Sequence, residues 1–153
     1  YNKLIQALSS SKEQCFKENL LYAFQNITFN CSIKEAILLL DNKPFCAVLD
    51  ESNDTISAIY DNLLVVLGKE NEYSIDVLEK LKNFATSKGG KVREIVLQAM
   101  IKITYNNTDN GKLSKDLNFF TFLQNSTNNY AKKVLTNMNL QILSNQKLKN
   151  HHN

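Results

Sequence analysis

Histidine is confined to His151 and His152 at the end of this 153-residue chain. A nucleophilic Ser or Cys needs an adjacent base, so Ser-His and Cys-His catalysis within the rest of the chain is excluded. Two imidazoles also fall short of a metal site. Arginine occurs once, as Arg93, against seventeen lysines, which leaves few planar forks for bidentate phosphate contacts. Tryptophan is absent. No apolar run approaches the roughly 18–20 residues of a membrane span; the longest are 63–67 and 37–40. Cys15, Cys31 and Cys46 are odd in number and lack metal-ligand spacing. They read as buried thiols within helices, in a reducing compartment. Gly68-Lys69 and Gly89-Gly90 lack the rest of a phosphate loop. Asp50, Glu51 and Asp54 cluster without a calcium-loop pattern. These absences point away from an enzyme, a metal or a cofactor. The five Asn-x-Ser/Thr tripeptides, at Asn26, Asn30, Asn53, Asn106 and Asn125, are ordinary for so Asn-rich a chain and do not imply secretion.

What is present is repetition. Apolar-striped segments begin at Leu20, Ile56, Val96 and Leu135, about 36 to 40 residues apart. In each, apolar positions recur three and four apart and so lie on one face of a helix. Such a unit cannot bury its stripe alone and needs stacked neighbours. The expected fold is therefore an all-α, right-handed solenoid of about three to four units: a partial unit over 1–31, then 32–70, 71–107 and 108–145.

Local signals place the helices. Ser9-Ser10-Ser11 ends a short first helix and caps one over 12–29. Ser32 and Glu35 form a capping-box pattern, and Pro44 suits the first turn of a helix ending at Leu49. A helix over 54–67 stops at Gly68, taken as a C-terminal glycine. Ser74 opens a helix to Phe84, and Lys88-Gly89-Gly90-Lys91 is a loop before a helix over 92–105. Residues 106–111 read as a polar loop, Ser114 as the cap of a Phe-rich helix, and 129–143 as the last long helix. Residues 146–153 read as a polar tail. The chain opens at Tyr1 without a signal-peptide pattern and reads as a piece of a longer protein.

Residues 20–49 resemble an armadillo repeat. Leu21-Tyr22-Ala23-Phe24-Gln25-Asn26-Ile27 matches the family's third-helix string, followed by Glu35-Ala36-Ile37, a turn at Asp41 where a glycine is usual, and Pro44. Asn62 repeats the Asn position; later units are looser and equally HEAT-like. The resemblance implies that the third helices line a concave, partner-binding face. The corresponding ladder is Tyr22 and Asn26, Ala58 and Asn62, Gln98 and Lys102, then Asn137 and Gln141. An Asn side chain offers a donor and an acceptor to a peptide backbone. The missing Trp array argues against a groove for basic peptides.

Charge is uneven. Residues 1–40 sum to +1, 41–79 to −7 and 80–153 to +9. The basic half carries Lys80, Lys82, Lys88, Lys91, Arg93, Lys132 and Lys133. The expected function is a non-catalytic scaffold for other proteins, cytoplasmic or else cytoskeletal or nuclear. The alternative is that the basic half binds nucleic acid or another acidic polymer through phosphate-type contacts.

Overall fold

The computed structural model describes residues 2–10, 13–69, 75–106 and 115–151. Among these residues the chain is all-α. The helices are α1 (Asn2–Ser10), α2 (Gln14–Thr28), α3 (Ile33–Leu40), α4 (Lys43–Leu49), α5 (Asp54–Gly68), α6 (Ile75–Ser87), α7 (Gly90–Asn106), α8 (Leu117–Asn125) and α9 (Asn129–His151). The expected caps at Ser11, Ser74 and Ser114, and most of the 106–111 loop, lie outside the described residues.

Side-chain caps set most of the described starts. Ser32 and Glu35 form the expected capping box on α3. Asn42 caps α4, where Pro44 sits in the first turn. Asn53 caps α5 through the Thr55 amide, and Asp116 caps α8 through the Phe119 amide at 3.1 Å. Helix α9 opens on Asn128, whose side chain accepts from the Tyr130 amide at 2.8 Å.

Several boundaries differ from the sequence reading; α6, for one, runs on to Ser87 rather than ending at Phe84. Helix α7 begins at Gly90 rather than Val92, because Asp50 at the end of α4 reaches across and accepts from the Lys91 amide at 3.0 Å. Gly90 takes φ +58, and a Cβ there would stand 2.5 Å from Asp50 Oδ1, so glycine is required. Gly68 is not a left-handed stop: it lies inside α5, and the capping residue is Lys69 at φ −76. A Cβ on Gly68 would approach Lys102 Cδ to 2.8 Å, so the glycine makes room for the lysine stem of α7. The left-handed residue that ends a helix is instead Asn30, at φ 60 after α2. Finally, 146–151 is not an irregular tail. The backbone of α9 stays helical to His151, since this polar stretch contains neither glycine nor proline to stop it.

The long helices pack in chain order: α2 on α5, α5 on α7, and α7 on α9. Helix α1 packs on α2 and α4, α3 on α4 and α5, α6 on α7 and α8, and α8 on α9. The core runs through all of them, from Ile5 and Leu8 to Val134 and Met138. Phe24 and Phe45 meet with ring centroids 5.4 Å apart. Each fully buried Leu, Ile or Phe contributes about 1.5–3 kcal/mol.

Cross-helix bonds fix the direction of the row. Asn62 of α5 meets Gln25 and Thr28 of α2, and farther along Lys69 meets Asn30. Tyr60 meets Glu94 of α7, and farther along Gly68 meets Lys102. Positions advance together, so α2, α5 and α7 run parallel. Contacts at a sequence separation of 34 recur: Lys17–Glu51, Asn62–Thr28, Tyr60–Glu94 and Lys82–Asp116.

Candidate partner-binding face

The ladder positions divide into two kinds. Tyr22 and Asn26 stand exposed, one turn apart, on α2. Lys102 is exposed on α7, its stem against Gly68. Asn62 and Asn137 are half-buried and turned toward the preceding long helix. The Asn62 amide donates to Gln25 O at 3.0 Å and to Thr28 Oγ1 at 3.2 Å. Asn137 makes the same pair of bonds on α7, to Ile101 O at 3.1 Å and Thr104 Oγ1 at 3.2 Å. Thr28 and Thr104 are themselves buried and donate one turn back, each at 2.7 Å, to Phe24 O and Met100 O. The same Asn–Thr staple therefore occurs twice, joining α2 to α5 and α7 to α9. Its amide donors are committed within the chain.

Between these staples, Gln98 of α7 donates to the Tyr60 hydroxyl of α5, and Tyr60 lies 3.5 Å from Glu94 Oε2. Burial, reinforced by the Glu94 carboxylate and by Tyr130, pushes the Tyr60 phenol up to about 12. It stays neutral and serves as a hydrogen-bonding link. The Gln141 side chain lies outside the described residues.

The seven basic residues do not form one free surface. Lys82 is buried on α6, with Nζ 2.8 Å from Asp116 and 2.5 Å from Glu79. Burial opposes its charge, but the hydrogen bonds to Asp116 and Glu79 prevail and hold its pKa above the ordinary lysine value. Reciprocally, Lys82 and the Phe119 amide hold the Asp116 carboxyl below the usual range. Arg93 donates to Ala85 O at 2.9 Å and Thr86 O at 3.2 Å, and its guanidinium lies 5.6 Å from the Phe122 ring centre. It thus ties the C-terminal carbonyls of α6 to α7 and α8. Lys91 Nζ donates to Glu51 O at 2.8 Å, and Lys88 lies over Phe84. Lys80, Lys132 and Lys133 are exposed.

A cleft of about 410 Å³ separates α6 from α8, lined by the Lys82–Asp116–Glu79 cluster with Asn83, Thr86, Asn118, Phe119 and Phe122. A second, of about 350 Å³, lies beside the Asp50–Gly90 contact. No family model, curated protein or solved structure matches the chain.

The thiols are less buried than expected. Cys15 is exposed on α2, Cys31 lies half-buried in the α2–α3 connection, and Cys46 is half-buried on α4, donating to Leu40 O at 3.1 Å. Asn30 ends α2 before Cys31, which places that residue outside a helix. Burial pushes the Cys31 and Cys46 thiols up, which suppresses the reactive thiolate. Among the described residues, no cluster of three or more metal-ligating side chains is found, and no helix is long and apolar enough to cross a membrane.

Sequence reasoning missed Thr28, Thr104, Asp50 and Asp116 as organising residues. A signal for the threonines was present: each follows a ladder position, Asn26 or Lys102, by two residues.

Proposed function

We propose that this chain is a non-catalytic protein-interaction scaffold, built as a right-handed α-solenoid of armadillo/HEAT-like units. It holds a partner on the face of its long helices, or keeps a place in a larger assembly, with the cytoplasm as its setting. The observation that carries this reading is the chain-order packing of α2, α5, α7 and α9, with equivalent Asn–Thr staples at two of the three junctions. That arrangement suits a stack whose neighbours set one another's register and whose outer row of side chains is continuous. The alternative of nucleic acid or another acidic polymer is weakened by the internal engagement of Lys82, Lys91 and Arg93.

The test is a pull-down from a lysate of the source organism at low and high salt, with nuclease treatment in parallel. The scaffold reading expects discrete proteins retained at high salt and lost when Tyr22→Ser, Asn26→Ala and Lys102→Ala are combined. Binding that disappears with nuclease or salt alone would transfer the function to Lys80, Lys132 and Lys133.

A further inference from the structure

The two staples expose a second regularity. Phe29 directly follows stapled Thr28, and Tyr105 directly follows stapled Thr104; they are 67% and 73% exposed. Val65 follows Asn62 by three residues, and Leu140 follows Asn137 by three; they are 48% and 59% exposed. Because each Asn bonds to the Thr of the preceding helix, Phe29 lies level with Val65, and Tyr105 level with Leu140. Four large apolar side chains, Val65, Tyr105 and Leu140 on α5, α7 and α9 and Phe29 directly after α2, are thus held in solvent. Solvated apolar side chains at corresponding positions in successive units are the pattern of a contact surface rather than of scattered exposure. Lys69 stands one turn after Val65, and Lys102 one turn before Tyr105; both are exposed. Asp61, one turn before Val65, is the acid on the same stretch of α5.

We infer that the row Phe29, Val65, Tyr105 and Leu140, with Lys69 and Lys102, receives an acidic amphipathic helix of a partner protein. This rests on the scaffold reading above and specifies its ligand. Three arguments select the occupant. First, an extended peptide must find partners for its own backbone, yet the Asn62 and Asn137 donors are spent between helices. A helix satisfies its backbone internally and needs only an apolar stripe. Second, packed helices stand about 8–10 Å apart, and seven residues of a helix rise about 10.5 Å, so one apolar residue per heptad meets one long helix. Third, Lys69 and Lys102 complement carboxylates beside that stripe; Lys102 lies in the 80–153 stretch of net charge +9, and Lys69 brings a positive charge to the row from the otherwise acidic 41–79 stretch.

The experiment places a photoreactive phenylalanine analogue singly at positions 22, 26, 29, 65 and 105 of the full chain, in cells of the source organism, and sequences the crosslinked peptides. The expected result is that 29, 65 and 105 crosslink to one segment of one protein, at sites about seven residues apart beside Asp or Glu. A synthetic peptide of that segment should gain helicity on binding. Its affinity should fall at least about tenfold when Val65→Ser and Tyr105→Ser are combined, and about threefold at low salt for Lys102→Gln. Circular dichroism of the variants, whose changes are on exposed residues, checks that the fold is retained. A captured segment that binds without gaining helicity, or that is basic, overturns the helix inference and leaves the scaffold reading standing. Crosslinks only to a second copy of this chain overturn it in favour of self-association. No protein crosslink from any of the five positions overturns both.

Discussion

At the scale of single residues, identical side chains carry opposite duties. Asn26 on α2 and Asn62 on α5 are equivalent in the sequence reading, but Asn26 faces solvent and Asn62 bonds to Gln25 O and Thr28 Oγ1. Removing Asn62 strips a partner from a half-buried carbonyl and from the buried Thr28 hydroxyl, a loss of about 1–2 kcal/mol. Asn62→Ala, and likewise Asn137→Ala, should lower the thermal midpoint by about 2–6 °C. Asn26→Ala should change stability by less than about 0.5 kcal/mol. Thermal unfolding followed by circular dichroism decides this; equal losses at positions 26 and 62 would mean that the staple contributes nothing. The sequence spacing aligned Asn26 and Asn62 with Lys102 and Gln141, and Asn137 with Ala58, whereas the bonds give Asn137 the role of Asn62. The division into bonded and free members was not legible, because it depends on a threonine of the neighbouring helix, 34 residues from Asn62 and 33 from Asn137.

At the scale of elements, α8 is held by one carboxylate that does two things. Asp116 Oδ1 caps the helix and Oδ2 pairs with buried Lys82 of α6. Its folded pKa lies below the unfolded carboxylate value of about 3.9, so the contribution is complete above that value. It is lost as pH falls through the depressed folded pKa. Lys82, shifted upward, contributes fully below the unfolded lysine value of about 10.4 and loses its share as pH rises through the folded one. Asp116→Asn keeps a competent cap but removes the charge. Because Glu79 remains as a second partner and Asp116 is partly exposed, the expected cost at neutral pH is about 2–3 kcal/mol, under that of a fully buried pair. Urea unfolding between pH 2 and 7 should show a flatter acid limb for the variant; parallel curves would refute the assignment. The helices themselves were readable wherever a local device marks them, as at Ser32–Glu35 and Pro44. The start of α7 was hidden because its cap, Asp50, arrives from another helix, 41 residues earlier. The end of α9 was hidden for a different reason: its polar sequence leaves no apolar periodicity to read, although the backbone stays helical.

At the scale of the whole molecule, α5 and α7 each pack against a long helix on both sides, whereas α2 and α9 each have one long neighbour. Stability in such a row is close to a sum of unit and junction terms. Amide hydrogen exchange should be slowest in α5 and α7, and Asn137→Ala should speed exchange in α7 and α9 while leaving α2 unchanged. Uniform acceleration across the chain would show instead a single cooperative unit. Charge at this scale also has an internal answer. The Gly89-Gly90 turn and the opening amides of α7, flanked in their cleft by Lys43 and Lys88, have the makings of an anion seat. Asp50 already sits in it. A carboxylate fastened to its own receptor acts at an effective concentration in the millimolar range or above, so the opening turn of α7 is answered from within the fold. The group that fills this N-terminus is the same one that starts the helix, and in doing so it ties α4 to α7.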